Sequence, residues 1–193
     1  MAKSKIKKKI IAIVQARCNS IRLTNKVLKK FTGKPAIEIL YERLNLSKKL
    51  TNVIIATSRN RSNLKLVNFC KEKKIDFFLG SENNVLKRYY DANKKFGADI
   101  IVRITGDSIL IDHKLVDEVI DLLKEKRVDY ASNCQPVSFP DGLDIEVFSK
   151  KCLNDSYRLV KNKYDKEHVT SFMRSSNMFK KVNLKNNKDY SFL

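Results

Sequence analysis

Long apolar runs are missing from this chain of 193 residues. No stretch approaches the roughly 18 consecutive apolar residues that a membrane-spanning helix needs. The basic start, MAKSKIKKK, leads into an apolar run at 10–14 that is shorter than the ~7–15 residues of a secretory signal core. The expected location is therefore the cytoplasm, with no membrane partner.

Cysteine and histidine are scarce as well. Two histidines and four cysteines are present. No two cysteines form a Cys-x-x-Cys pair, so neither a zinc site nor a disulfide framework is expected. Free thiols in a reducing compartment are the simpler interpretation of Cys18, Cys70, Cys134 and Cys152.

Acidic residues are few beside the basic ones. The chain has 21 acidic and 40 basic residues, and its formal net charge is +19. Such an excess can mark a nucleic-acid binder, but the lysines are spread along the whole chain and no motif of interleaved aromatic and basic residues occurs. We expect the charge to attract anionic small substrates rather than a specific nucleic acid.

Apolar runs and helical periods alternate along the chain. Strand-like runs are found at 10–14, 53–56, 77–79, 100–102, 128–131, 145–148 and 181–184. Helical stripes are found near 37–44, 64–70, 85–96, 115–123, 153–160 and 168–174. This order predicts an α/β fold with a mostly parallel sheet and helices on both faces. Because no repeat or linker interrupts the pattern, we expect residues 1–193 to form a single domain.

A cationic loop follows the first strand. Ligands of open α/β sheets bind at the carboxyl ends of strands, and arginine forks match phosphate oxygens. The loop therefore predicts a polyphosphate site, although in so basic a chain these could also be ordinary surface charges. The residues concerned are Arg17, Ser20, Arg22 and Lys26.

A glycine and a carboxylate follow the strand at 100–102. Gly106 permits a tight turn or a close approach to a ligand, and Asp107 is a hard oxygen ligand of the kind that holds Mg²⁺ together with phosphates and water. The alternative is that Asp107 only makes a turn. Asp112 precedes a helical stripe and is predicted to be its N-cap.

Three further segments carry candidate site residues. Asp144 and Glu146 follow an Asp-Gly turn and alternate as on a strand, so they should point to one face and contact sugar hydroxyls or solvent. The segment at 165–170 is expected to begin a helix capped by Asp165. There we prefer His168 to His113 as a functional histidine. Ser81 follows the third strand and is either a ligand contact or an ordinary loop residue.

Five sequence blocks then carry a family resemblance. They are IVQARCNSIRLTNKVL, GSENNVLKRYYDA, IVRITGDSILID, SNCQPVSFPDGLDIEVF and DKEHVTSFM, in this order. With them the chain resembles the cytidylyltransferases of the spore-coat polysaccharide type, which are relatives of the enzymes that activate 3-deoxy-manno-octulosonate and sialic acids with CTP. The resemblance implies a Rossmann-like nucleotidyltransferase fold and transfer of CMP from CTP to a sugar acid for surface polysaccharide or glycan. Mg²⁺ is the implied cofactor, and a homodimer is a further expectation.

The resemblance also implies residue roles. Arg17, Lys26 and Asp107 form the implied catalytic set. In it, Arg17 and Lys26 contact the triphosphate and Asp107 binds the metal. The other implied contacts are Ser20 and Arg22 in the loop, Ser81 near the base or ribose, and Asp144, Glu146 and His168 on the acceptor side.

The chain departs from the family pattern at two places. Asn19 and the pair Thr24-Asn25 replace a glycine and a Pro-Gly, and asparagine tolerates the left-handed backbone better than most residues. A later strand with a second metal-binding carboxylate would follow about where the sequence reaches 189–193, so we expect that the C-terminal segment is missing. The alternatives to an active enzyme are a catalytically impaired nucleotide-binding remnant and a basic nucleic-acid-binding module.

Overall fold

The structure, a computed structural model, describes residues 8–19 and 25–192. Its strands are β1 (Ile10–Gln15), β2 (Lys30–Phe31), β3 (Lys34–Pro35), β4 (Asn52–Ser58), β5 (Phe77–Gly80), β6 (Ile100–Thr105), β7 (Tyr130–Ser132), β8 (Glu146–Ser149) and β9 (Lys181–Asn183). Its α-helices are α1 (Ala36–Asn45), α2 (Leu64–Glu72), α3 (Val85–Phe96), α4 (His113–Lys126), α5 (Lys150–Leu159), α6 (Lys163–His168) and α7 (Ser171–Ser175). No helix in these residues has both the length and the apolar character that crossing a membrane requires.

One sheet organises the described part of the chain. Its strand order is β5-β4-β1-β6-β8-β7-β9. Only β8 among these strands runs antiparallel to its neighbours, β6 and β7, and the other pairs are parallel. The predicted α/β fold with a mostly parallel sheet is confirmed.

Apolar side chains cover both faces of β1. Ala12 and Val14 pack in one buried cluster with residues of α1, α2 and α4. Ile11 and Ile13 pack in a second cluster with residues of α3, α5 and α7. A strand covered on both faces needs a continuous apolar run, because each side chain that it buries stabilises the fold by about 1.5–3 kcal/mol. The predicted helices on both faces are thus confirmed.

Helix ends follow local capping chemistry. The Asp112 side chain accepts hydrogen bonds from the N–H groups of Lys114 and Leu115, which confirms its predicted N-cap role at α4. Asn84 caps α3 by accepting from the Lys87 N–H at 2.8 Å, and Gly97 ends that helix in the left-handed region with φ of 71°. These caps fix where α3 and α4 begin beside the carboxyl ends of their preceding strands.

The region around His168 differs from the sequence expectation. One helix was expected at 168–174 with Asp165 as cap, but α6 ends at His168 and α7 begins at Ser171. Asn162 caps α6 instead, accepting from the Asp165 N–H at 2.8 Å. The break occurs at Val169, whose φ of 62° is incompatible with a right-handed helix.

A topological switch point lies between β1 and β6. After β1 the chain adds β4 and β5 on one side, and β6 then pairs with the other side of β1. Gln15 and Thr105, the last residues of β1 and β6, are register partners in the parallel pair. The segments that follow them therefore leave the sheet at one edge, where ligands of open α/β sheets bind.

Candidate active site

The two loops beyond β1 and β6 are in direct contact. The Gly106 N–H donates a hydrogen bond to the Gln15 carbonyl at 2.9 Å. A Cβ atom added to Gly106 would lie 2.9 Å from the Ala16 Cβ and 3.0 Å from the Gln15 oxygen. Only glycine fits there, because Gln15 and Ala16 of the first loop lie so close; the predicted approach of Gly106 to a ligand stays a prediction.

The first loop is tied at both of its described ends. The Cys18 N–H donates to Asn63 Oδ1 at 2.8 Å, and the Asn25 N–H donates to the Cys18 carbonyl at 2.8 Å. Asn25 adopts the left-handed region, with φ of 56° and ψ of 24°. Asn25 thus adopts a backbone conformation that glycine takes most readily, at the position where the resembled pattern has a glycine. Ser20 and Arg22 lie outside the described residues.

Lys26 and Asp107 form an ion pair across the two loops. Their side chains are 34% and 53% exposed, so both groups can be reached from solvent. Partial burial alone would raise the pKa of Asp107, but hydrogen bonds from Lys26 and Thr105 more than offset this effect, and the net shift is downward. Asp107 therefore places a negative charge at the switch point, and its role as a metal ligand stays a prediction. Arg17 follows the register partner of Thr105 by two positions, at the same edge.

A polar cavity of about 340 Å³ opens beside Arg17. Its walls come from the end of β1, the start of α3, the middle of β6 and α6. Two of the predicted site residues, Arg17 and His168, line it, whereas Lys26, Asp107, Ser81 and Asp144 are not among its described lining residues. Four basic residues and two acidic residues line it: Arg17, Arg88, Arg103 and Lys163, and Glu82 and Glu167.

Arg88 is a buried cation that the sequence interpretation missed. It is 3% exposed, and its Nη1 donates to the Ser81 carbonyl at 2.6 Å. Its buried Nε has no hydrogen-bond partner among the described residues. Burial lowers the pKa of Arg88, and the positive charge of Arg17 adds to the effect. The sequence signal that could have identified Arg88 is its place on the inner side of the amphipathic helix α3.

Gly80 and Ser81 hold Arg88 in place. A Cβ on Gly80 would lie 2.8 Å from the Arg88 Cγ, so glycine is needed where the arginine crosses the end of β5. The Ser81 hydroxyl accepts from the Asn84 N–H at 3.1 Å. Ser81 itself lines a neighbouring depression together with Arg59 and Gly80. Its predicted nucleotide contact remains a prediction.

Arg103 and Glu146 form an ion pair between β6 and β8, in which Glu146 is buried and Arg103 is partly buried. Glu146 Oε1 also accepts from the Tyr130 hydroxyl at 2.5 Å, and Arg103 Nε donates to Gln15 Oε1 at 3.2 Å. Burial alone would raise the pKa of Glu146, but Arg103 and the hydrogen bond from Tyr130 outweigh it, and the net shift is downward. Sequence reasoning named Glu146 but missed Arg103, although a cation within the apolar run IIVRIT was a visible signal.

Asp144 and Glu146 differ in their surroundings. β8 begins at Glu146, so Asp144 precedes the strand and is exposed, whereas Glu146 is 3% exposed. The solvated strand face that was one alternative is therefore wrong for Glu146. Although Asp144 is exposed as a residue, its carboxyl is partly shielded from water, and this desolvation together with the negative charges of Asp141 and Glu146 raises its pKa. Gly142, with φ of 83°, makes the predicted Asp-Gly turn.

His168 stands at the end of α6 on a strained turn. The Thr170 N–H donates to the His168 carbonyl at 2.6 Å, and the intervening Val169 has φ of 62° and ψ of −59°. These are the features of the rare γ-turn with a positive central φ. The turn leaves His168 on the cavity wall while it buries Val169 and Thr170.

Metal binding can be judged from the donor atoms. The described residues contain no group of three His, Cys, Asp or Glu side chains arranged to hold a metal. Asp107 is a single carboxylate beside the paired hydroxyls of Thr105 and Ser108, which are 2.9 Å apart. This set does not suit a cage made entirely of protein ligands. It fits a hard divalent cation that takes one carboxylate together with phosphate and water oxygens.

The chain was compared with known proteins. The model of a family described as "Cytidylyltransferase" matches residues 11–192. An uncharacterized protein of Methanocaldococcus jannaschii is 41% identical over 173 residues, a match that covers 89% of this chain and 70% of that protein. A spore coat polysaccharide biosynthesis protein of Bacillus subtilis is 31% identical over 172 residues, with 86% of this chain and 70% of that protein covered.

Further relatives and a solved structure agree with these matches. Relatives that are 28% to 32% identical are named as cytidylyltransferases of 3-deoxy-manno-octulosonate or of its 8-amino-3,8-dideoxy form. The solved structure of a cytidylyltransferase from Leptospira borgpetersenii superposes with a TM-score of 0.91 at 32% identity. That match covers 96% of this chain and 79% of the solved chain.

Proposed function

Because the chain belongs to the cytidylyltransferase family, we propose that it transfers CMP from CTP to a hydroxyl of a sugar acid. The product would be a CMP-linked sugar acid for surface polysaccharide or glycan. The observation that carries the proposal is the ion pair between Lys26 and Asp107 at the switch point between β1 and β6, with Arg17 two positions beyond the end of β1. Residues 1–193 act as one domain in this proposal, since the two apolar clusters share one sheet.

The cations of the switch point would bind the triphosphate. Arg17 is exposed beside the cavity, and Lys26 is partly exposed at the end of the first loop. Arginine forks and the lysine ammonium match phosphate oxygens. Ser20 and Arg22 complete this loop in the proposal. Ser81 and the buried Arg88 at the start of α3 would lie toward the ribose and base.

Asp107 would hold Mg²⁺ together with phosphate oxygens and water. Its lowered pKa keeps it ionised at neutral pH. Because its side chain is exposed, a metal cation can replace the Lys26 ammonium as its partner. When bound, Mg²⁺ neutralises part of the charge on the phosphate oxygens.

The reaction then needs charge stabilisation more than covalent chemistry. The acceptor hydroxyl attacks the α-phosphorus of CTP in line and gives its proton to water, while the bond between the α-phosphorus and the bridging oxygen of the leaving pyrophosphate breaks. Arg17 and Lys26 offset the negative charge that develops on the pyrophosphate, which is an electrostatic mode of catalysis. Asp144, Glu146 and His168 belong to the acceptor side, and His168 reaches the same cavity as Arg17.

Pyrophosphate release tests the proposal. The protein is incubated with Mg²⁺, CTP and a panel of sugar acids that includes 3-deoxy-manno-octulosonate and N-acetylneuraminate, with ATP and UTP as nucleotide controls. We expect release with CTP and at least one sugar acid. Arg17→Met should abolish most of it, whereas Arg158→Met, at a 73% exposed side chain on α5, should leave it unchanged.

The negative outcomes are distinct. Binding of CTP in a calorimeter, without release of pyrophosphate from CTP in the presence of any sugar acid, would identify a nucleotide-binding remnant. Steeply salt-dependent binding to any oligonucleotide, with no CTP binding, would replace the proposal by a nucleic-acid-binding function.

A further inference from the structure

A partly buried guanidinium in the middle of the sheet faces the cavity. Arg103 belongs to β6 and precedes Thr105, the last residue of that strand, by two positions. Its side chain is 16% exposed, and that of its partner Glu146 is 4% exposed. Arg103 therefore lies deeper than Arg17 and Lys26, which follow strand β1 in an exposed loop.

The hydrogen bonds of Arg103 leave donors free. Nη1 donates to Glu146, and Nε donates to Gln15 Oε1 at 3.2 Å. An arginine has five N–H donors, and no hydrogen bond joins Nη2 to any described residue. The side chain also lines the cavity that His168 and Arg17 line. The guanidinium is thus held from behind while part of its donor set remains available to a ligand.

Glu146 is in turn held by β7. Tyr130 donates its hydroxyl to Glu146 Oε1 at 2.5 Å, and Tyr130 is itself 3% exposed. The chain of contacts Tyr130, Glu146, Arg103 and Gln15 crosses the four adjacent strands β7, β8, β6 and β1. Such a network fixes the position and angle of the guanidinium.

Stability alone does not explain this arrangement. A buried ion pair usually stabilises a protein no more than well-packed apolar residues of similar volume do, because both charges lose their hydration. An apolar pair between β6 and β8 would be sufficient for the core. The pair is understandable if the spare donors of Arg103 recognise a ligand in the cavity.

The chemistry of the donor set indicates which ligand group. A triphosphate carries several charges and meets the exposed cations beyond the strand ends. Arg103 offers one rigid, planar donor face whose charge Glu146 partly balances, and this suits a single planar carboxylate. We propose that Arg103 binds the carboxylate of the acceptor sugar acid and that Glu146 and Tyr130 position it. This inference rests on the proposed function, because the acceptor must be a sugar acid.

Steady-state kinetics with two variants tests the inference. Arg103→Lys keeps a positive charge opposite Glu146 but lacks the fork. The triple variant Arg103→Met, Glu146→Leu, Tyr130→Phe removes the whole network and leaves no buried charge unpaired. Both are measured with the sugar acid that the wild-type protein uses best in the panel. The same sugar with its carboxylate reduced to an alcohol is the second acceptor.

We expect both variants to raise the KM for the sugar acid by about tenfold or more, the loss typical of a charge-assisted hydrogen bond. Their KM for CTP should stay within about twofold of the wild-type value. The preference for the acid over the alcohol should fall by a similar factor, which a merely structural role would not produce. Calorimetric CTP binding verifies that each variant retains its nucleotide site.

Three outcomes would overturn the inference. An unchanged acceptor KM in Arg103→Lys would show that Arg103 does not bind the carboxylate. An equal rise in the KM for CTP assigns Arg103 to the triphosphate. An acceptor KM that is unchanged in the triple variant would show that the network is only structural. Failure of the proposed function looks different, since the wild-type protein would then release no pyrophosphate with any sugar acid.

Discussion

Lys26 and Asp107 are 81 positions apart in the sequence, and their side chains form an ion pair at the switch point. The pair joins the loop after β1 to the loop after β6. In the proposed function each partner has a second use, because a triphosphate attracts the ammonium and Mg²⁺ attracts the carboxylate. Both side chains are partly exposed, so the exchange costs little: an exposed ion pair contributes only about 0–1 kcal/mol.

Asp107→Asn is therefore expected to separate nucleotide binding from stability. The amide keeps the shape but loses the anionic ligand. We expect calorimetry to show that Mg²⁺ no longer strengthens CTP binding. The free energy of unfolding, measured by thermal denaturation, should change by about 1 kcal/mol or less. Asp121→Asn is the matched control, because Asp121 pairs with Lys49 on the surface at similar exposure. Equal effects of the two substitutions on CTP binding would contradict the role given to Asp107.

Gly106→Ala is expected to separate the two loops. The new Cβ would lie 2.9 Å from the Ala16 Cβ and 3.0 Å from the Gln15 oxygen, so the loops must move apart or the Gly106–Gln15 hydrogen bond must lengthen. We expect overpacking to destabilise the protein by about 1–3 kcal/mol and to weaken CTP binding. Denaturant titration and calorimetry measure the two effects.

A second substitution checks the cause. Ala16→Gly in the same chain removes the nearest atom but leaves the Gln15 oxygen in place. The double variant should regain part of the lost CTP affinity. If it regains none, steric contact with Ala16 is not the reason for the loss.

Much of the fold was predictable because its signals are local. The apolar run of β1, the helical stripe of α3 and the cap at Asp112 each depend on residues close in sequence. The contact between the loops after β1 and β6 was also predictable from the sequence, because parallel strands place their carboxyl ends at one edge of the sheet.

The features that the sequence did not predict depend on contacts between residues far apart in the sequence or on an unusual backbone conformation. Arg103 meets Glu146 only because β8 enters the sheet antiparallel to β6, and no local pattern specifies that register. The positive φ of Val169 is opposite to the preference of valine, since β-branched residues avoid the left-handed region of the backbone. Helical periodicity therefore suggested one helix where the structure has two.

Val169 provides a test of the γ-turn. Its side chain is fully buried, so both Val169→Ala and Val169→Gly should destabilise the protein. Glycine usually destabilises more than alanine, but at a φ of 62° alanine is strained and glycine is not. We expect the glycine variant to be more stable than the alanine variant by about 1 kcal/mol, measured by urea unfolding. The usual order, with alanine more stable, would show that Val169 does not hold a positive φ.

The buried carboxylate of Glu146 should make stability depend on pH in a definite direction. Arg103 and Tyr130 hold the pKa of Glu146 below its ordinary value of about 4.3. The unfolded chain therefore binds a proton at this residue before the folded chain does, so the stabilisation is complete above that ordinary value and is lost as the pH falls through the folded pKa. Glu146→Gln leaves Arg103 buried without its anion, which should destabilise the protein by about 3–5 kcal/mol near pH 7. Urea unfolding of both proteins between about pH 7 and pH 3 should show this gap narrowing in acid, because a protonated Glu146 resembles glutamine. A gap that stays constant over that range would mean that folding does not lower the pKa of Glu146, and Arg103 would then not stabilise the Glu146 anion in the folded protein.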